Sequence, residues 1–297
     1  MDLLSIDSLN DAQIAEILDR SELLFQENRA ATKPPPRLSG CILFNLFYEN
    51  STRTAMSFAT AAHRLGASAL SLSVEHSSVK KGETLEDTAR TLNAMRPDAL
   101  VIRHRENGAP EKVARIMEAP VINAGDGTNE HPTQALLDAA TIRYQLGRID
   151  GLKVAILGDI RHSRVARSNA MLLPRLGAEV RLAGPPELMP RDVEQLSVDE
   201  AIEGADVVMM LRVQRERLDE DLGDAPGEYL ERYGLTRARL RRAAKDAVVM
   251  HPGPMNRGIE IESEIADDPK RSLITLQVEM GVAVRMASLE MLIRESA

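Results

Sequence analysis

The apolar run Cys41-Ile42-Leu43-Phe44-Asn45-Leu46-Phe47 passes directly into Tyr48-Glu49-Asn50-Ser51-Thr52-Arg53-Thr54-Ala55. The run has the composition of a buried strand, and the small polar residues after it predict a turn. Met56, Phe58, Ala59, Ala62 and Leu65 then recur at the spacings of one helical face. A strand that hands over to a helix in this way presents the helix N-terminus, with its unpaired N–H groups and positive dipole end, beyond the strand tip. Three hydroxyls (Ser51, Thr52, Thr54) and the forked guanidinium of Arg53 lie in the same turn. Together they suit a small phosphorylated ligand. An ordinary N-cap made by Ser51 or Thr52, with Arg53 solvated, fits this stretch equally well.

The 297 residues have room for two domains. At 43% apolar and 28% charged the composition is that of a globular protein, with no apolar run long enough to span a membrane and no export signal at the N-terminus. The single Cys41 excludes an internal disulfide and fits a reducing cytoplasm; its apolar setting favours a core thiol over a nucleophile. A net charge of −8 and an aromatic content of 3% argue against a nucleic-acid partner. They leave an anionic small substrate open, because a few cations in one cleft outweigh a diffuse negative surface.

Away from the opening stretch, strands alternate with crossover-length helices. An amphipathic helix over 8–28 stops at Pro34-Pro35-Pro36. Strands are expected near 41–47, 68–74, 98–103 and 120–123, with helices near 52–65, 84–95, 109–117 and 132–147. A second series starts at Gly151, with strands near 153–158, 178–183, 205–211 and 246–250 and helices near 163–176, 199–203 and 236–244. The fold class is therefore α/β: two doubly wound parallel-sheet domains, 1–147 and 148–275, with an active-site cleft between them. A last helix, 276–297, is expected to pack back onto the first domain. In such sheets ligands bind beyond the carboxyl ends of the strands.

Chemistry-bearing residues collect at those ends. Arg103 is the first charge after the third strand. His131 follows an irregular Gly125-Asp126-Gly127 turn and precedes Pro132, a residue favoured at a first helical position, with Gln134 one turn along. A histidine held there suits polarisation of a carbonyl oxygen. In the second half no Gly-x-Gly-x-x-Gly follows the strand ending at Gly158-Asp159, so a dinucleotide site is disfavoured. Arg161, Arg164 and Arg167 instead gather at a helix start, the wrong end for cations unless an anion binds. Arg212 and Gln214 leave the next strand tip two apart, on one side. The prolines of His251-Pro252-Gly253-Pro254 make a rigid loop after the last strand. Lys80 and Lys81, in a polar stretch, read on composition alone as solubility residues.

Seven segments in this order resemble the aspartate/ornithine transcarbamoylase family over essentially the whole chain. They are Phe47 to Thr54, Lys80-Lys81-Gly82-Glu83-Thr84, Arg103-His104, His131-Pro-Thr-Gln134, Gly158-Asp159, Arg212-Val-Gln214 and His251-Pro-Gly-Pro254. The resemblance is to the aspartate branch. The ornithine branch carries a cysteine in the late loop, where this chain has Pro252, and an Asp-x-x-x-Ser-Met-Gly segment that is absent here. Two departures stand out: Val165 replaces a threonine found in some members, and Gly253 replaces a leucine.

The resemblance implies carbamoyl transfer to L-aspartate for pyrimidine synthesis, without a metal, nucleotide or other cofactor. It assigns carbamoyl phosphate to Ser51, Thr52, Arg53, Thr54, Arg103, His131, Gln134, Gly253 and Pro254. Thr54, Arg103 and His131 would polarise the carbonyl, and Gln134 with the Pro254 carbonyl would orient the NH₂. Aspartate goes to Lys81, Arg164, Arg212 and Gln214. Family members are homotrimers in which the loop bearing Ser77 and Lys81 reaches a neighbour's site. Regulatory chains or a dihydroorotase are further partners that the resemblance leaves open. Two other readings remain: ornithine or another amino acid as acceptor, and a catalytically silent homologue that regulates an enzyme partner.

Overall fold

The structure is a computed structural model; it describes residues 1–73, 82–194, 196–213 and 227–296. The chain forms two units. One comprises Met1–Ala140 with Val278–Ala297, the other Thr141–Gln277.

The first unit is built on a four-stranded parallel sheet of β1 (Ile42–Phe47), β2 (Ser68–Ser73), β3 (Ala99–His104) and β4 (Val121–Asp126), in the order β2-β1-β3-β4. Its helices are α1 (Asp11–Arg29), α2 (Thr52–Leu65), α3 (Leu85–Ala94) and α4 (Ala109–Ala114). It also takes most of α5 (Pro132–Leu146), within which the chain passes to the second unit. Sequence chemistry sets the ends. Asn10 and Gln13 form a capping box at α1. Gly66 closes α2 in the left-handed region at φ +85°, where a side chain would be strained. β4 is buried along its whole length, and only Arg103 breaks the burial of β3. Strands covered on both faces require continuous apolar runs, so these segments were legible as strands. One face of the sheet packs Leu46, Leu100, Ile102 and Val121 against Ala89, Leu92 and Val113.

The second unit repeats the plan with β5 (Lys153–Leu157), β6 (Glu179–Ala183), β7 (Val207–Met210) and β8 (Val248–Met250), ordered β6-β5-β7-β8 and all parallel. Its helices are α6 (Arg164–Arg175), α7 (Val198–Ile202), α8 (Glu228–Arg232), α9 (Arg237–Leu240) and α10 (Ser263–Ala266). The chain returns to the first unit within α11 (Ile274–Ser296). The helix expected over 236–244 is confined to α9, because only Leu240 of that four-residue turn is buried. No described helix is long and apolar enough to cross a membrane.

In each sheet the strand order reverses at the first strand. The chain moves to one side for the second strand and to the other for the third. That reversal opens a crevice beyond the carboxyl ends of β1 and β3, and another beyond β5 and β7.

Candidate active site

At the β1–β3 crevice, Phe47 pairs with Arg103, and the Tyr48 N–H donates to the Arg103 carbonyl at 2.9 Å. The turn that opens α2 is thereby fixed beside the tip of β3. Ser51 occupies the N-cap position in extended backbone, but its side chain makes no capping bond, and the first turn of α2 holds no acidic residue. The side-chain cap of the plain-cap reading is therefore not made by Ser51, while Thr52 and Arg53 are exposed, as that reading had Arg53. Thr54 is buried on the same face as Ser57, Phe58, Ala61, Ala62 and Leu65, which anchors the turn to the core.

Arg103 is held for use. Its side chain, 13% exposed, places Nη2 3.1 Å from Glu49 Oε1 and donates from Nη1 to the Ala124 carbonyl at 3.5 Å. An anion in the cradle would compete with Glu49 for this guanidinium. Next to it, His104 stands edge-on to Tyr48, and burial pushes its imidazole below the usual range, against the raising effect of Glu106. His104 is thus a neutral ring that accepts the Glu106 N–H at 3.0 Å.

His131 is buried just before α5, and its carbonyl accepts from the Gln134 N–H at 2.9 Å. The irregular turn before it is organised by Asp126. One carboxylate oxygen accepts from Asn123 Nδ2 and the Glu130 N–H, the other from the Gly108 N–H and Asn129 Nδ2, all at 2.8–3.1 Å. Gln134 donates Nε2 to Asp138 Oδ1 at 2.9 Å, one turn along α5. A carboxylate only accepts, so this bond fixes the amide and leaves Gln134 Oε1 as an acceptor for something else. Deeper still, Arg285 of α11 is fully buried and donates Nη1 to Ser57 Oγ at 2.8 Å. Burial lowers it to about 10, Asp138 raising it and Arg103 lowering it.

In the second unit, Gly158 ends β5 at φ +126°, where an added Cβ would lie 3.1 Å from the Leu211 carbonyl. Glycine therefore permits the close approach of the β5 and β7 tips. Asp159 is buried and accepts the His162 N–H at 3.1 Å. Ser163 caps α6 by accepting from the Ala166 N–H, so Arg164 is the first helical residue and Arg161 precedes the helix. Arg212 is half-buried at the tip of β7. In the loop after β8, His251 is buried and its Nδ1 accepts the Gly253 N–H at 2.8 Å; the Gly253–Pro254 peptide is cis. Ser77, Lys81 and Gln214 lie outside the described residues.

Comparison with known proteins matches both halves. Residues 1–144 match the carbamoyl-P binding domain of aspartate/ornithine carbamoyltransferases, and residues 150–292 their Asp/Orn binding domain. The chain belongs to the aspartate/ornithine carbamoyltransferase family. It is 57% identical to the aspartate carbamoyltransferase catalytic subunit of Rhizorhabdus wittichii, over 98% of this chain and 94% of that one. With the same subunit of Granulibacter bethesdensis it shares 56%, over 99% and 95%. The aspartate transcarbamoylase of Trypanosoma cruzi, solved with carbamoyl phosphate and aspartate, superposes with a TM-score of 0.86 at 33% identity, covering 97% of this chain and 95% of that one.

Several residues that support this carbamoyltransferase site were not singled out by sequence reasoning. Asp138 had a signal, since it stands four residues after Gln134 on one helical face. Arg285 had one as well, as the lone charge within Val282–Leu289. Glu49 had none, because its pairing with Arg103 is created by strand register.

Proposed function

We propose that the chain transfers the carbamoyl group of carbamoyl phosphate to the α-amine of L-aspartate, giving N-carbamoyl-L-aspartate and phosphate for pyrimidine synthesis in the cytoplasm. The observation that carries this reading is the α2 N-terminus, which holds hydroxyls, main-chain N–H groups and Arg53 without a side-chain cap or a first-turn acid. The first unit, corresponding to 1–147 with the C-terminal helix 276–297, takes carbamoyl phosphate. The second, 148–275, takes aspartate.

The phosphate sits on Ser51, Thr52, Arg53, Thr54 and Arg103, with Arg103 exchanging Glu49 for the ligand. Thr54, Arg103 and His131 donate to the carbonyl oxygen, so the oxyanion formed as the amine attacks meets groups already in place. Gln134 Oε1 and the Pro254 loop, through Gly253 and the Pro254 carbonyl, orient the carbamoyl NH₂. Arg164 and Arg212, with Lys81 and Gln214, take the two aspartate carboxylates. The departing phosphate accepts the amine proton, which makes a protein base unnecessary. The work is positioning and electrostatics. Neither regulatory chains nor a dihydroorotase enters this chemistry.

Aspartate as acceptor is supported by the aspartate-branch relatives and by Arg212, whose fork matches a second carboxylate that ornithine lacks. The test supplies carbamoyl phosphate with L-aspartate or L-ornithine and quantifies the carbamoylated product. Product from aspartate alone is expected. Product from ornithine alone, or none from either despite binding of phosphonacetyl-aspartate, would overturn the assignment. We further propose a homotrimer in which Ser77 and Lys81 complete a neighbour's site. Mixing inactive Arg53→Ala and Lys81→Ala chains should then restore part of the activity, and no recovery would refute the shared site.

A further inference from the structure

Behind the 251–258 loop of the second unit lies a buried carboxylate with no part in the chemistry above. Glu260 is fully buried, and its Oε1 accepts the Asn256 N–H. The same oxygen faces His251 Nε2 at 3.3 Å. His251 spends Nδ1 as acceptor for the Gly253 N–H at 2.8 Å, so a neutral ring carries its proton on Nε2, toward Glu260. The Nε2 contact is within ion-pair distance but is not aligned as a hydrogen bond, so one carboxylate holds the loop directly at Asn256 and lies beside the imidazole that holds Gly253. Asn256 extends the linkage, its Nδ2 donating to the Val213 carbonyl at 3.4 Å, next to Arg212. The His251 N–H is held from the other side by Gln277 Oε1 at 2.9 Å.

Such an arrangement exceeds what holding a loop closed requires. A buried carboxylate is costly unless its charge is used, and an apolar side chain of similar volume would pack the loop without that cost. Here the Gly253 N–H at Nδ1 and the Glu260 oxygen facing Nε2 both suit the tautomer with its acceptor at Nδ1, which bears on the direction of the Gly253–Pro254 main chain. We propose that Glu260 is a positioning residue of the transfer reaction. Through His251 it aims the Pro254 carbonyl that orients the carbamoyl NH₂, and through Asn256 it sets the β7 tip that carries Arg212 for aspartate. The inference rests on the carbamoyl-transfer reading, but it concerns a residue that touches no substrate.

The test compares Glu260→Ala and Glu260→Gln in the full-length enzyme. A Gln Oε1 still accepts from the Asn256 N–H and still faces His251 Nε2, whereas Ala does neither. Glu260→Ala should lower kcat by about 10²-fold, the scale of a misplacement remote from the chemistry, and raise the aspartate KM as well. Because the Pro254 carbonyl is one of the groups assigned to carbamoyl phosphate, affinity for that substrate should also weaken in Glu260→Ala, and Glu260→Gln should recover it together with most of the lost rate. Nitrogen-15 NMR of the wild-type His251 ring should place the proton on Nε2, and Glu260→Ala should disturb that signature. Wild-type kcat and KM in Glu260→Ala would overturn the proposal. Equal loss in both variants would also overturn it, leaving a structural role only. A His251 ring protonated on Nδ1 in the wild-type protein would do so without reference to turnover. Failure of the wild-type enzyme to carbamoylate aspartate would instead count against the reaction itself.

Discussion

Asp138→Asn is the sharpest test of how the first unit supports its site. Asp138 is fully buried, accepts from Gln134 Nε2 at 2.9 Å, and its charge opposes the burial that lowers Arg285 to about 10. Keeping the guanidinium charged inside the fold therefore costs stability, which Asp138 offsets in part. The sign follows from proton linkage. A cation with a lowered folded-state value carries its full cost below that value and is relieved only as pH rises above about 10. At neutral pH the whole cost is present, already reduced by Asp138. Removing one partner of a buried charge pair typically costs about 3–5 kcal/mol, and Asn keeps a neutral acceptor for Gln134, so about 3 kcal/mol of lost stability is expected. Arg285→Met added to Asp138→Asn removes the stranded cation and should return stability to within about 1 kcal/mol of the wild type. The assay is equilibrium urea unfolding followed by far-UV circular dichroism, since the chain has no Trp. A loss below about 1 kcal/mol for Asp138→Asn, or a double variant no more stable than the single one, would refute the coupling.

Arg53→Ala should cut kcat by at least about 10²–10³-fold, because a preorganised cation is lost where charge develops. Its thermal midpoint should hardly move, since the side chain is exposed at the second position of α2; steady-state kinetics beside a melting curve reads both. Arg212→Lys keeps the charge and loses the fork, so the aspartate KM should rise about tenfold while kcat changes little. An unchanged KM in the same kinetic series would remove Arg212 from the aspartate site.

Strands β1, β3, β4, β5, β7 and β8 were legible as apolar runs suited to a doubly covered parallel sheet, whereas β2 and β6, at one edge of each sheet, are more polar and more exposed. Helices with a long buried stripe, such as α2 with Thr54, Phe58, Ala61 and Leu65, were legible for the same reason. The short turns α8 and α10 escaped, since four or five residues show no helical period. In the site, groups that project from strand ends could be read off the chain: Arg103 and Arg212 are first charges after apolar runs. Groups that act from behind could not. Glu49 meets Arg103 only because β1 and β3 pair in one register, and Glu260 comes beside His251 only because both are buried around one loop. Burial of a charge is a tertiary property, visible in sequence at best as a lone polar residue among apolar ones.

The two units use one topological device in two chemical ways. Each presents the helix that follows its first strand and a cation at the tip of its third, on either side of the point where strand order reverses. In the first unit Ser51 leaves the α2 N-terminus without a side-chain cap, so main-chain N–H groups and hydroxyls are offered to a ligand along with Arg53. In the second unit Ser163 caps its own helix by accepting from the Ala166 N–H, which takes up that offer internally. On the function proposed above, an anion there would be met by the guanidinium groups of Arg164 and Arg212. A phosphate has three terminal oxygens to satisfy and gains from a ring of N–H donors at a helix end, whereas a planar carboxylate is met in full by one guanidinium fork. On that proposed function, this difference between Ser51 and Ser163 would suit the first unit to a phosphate and the second to carboxylates, the division that carbamoyl phosphate and aspartate require.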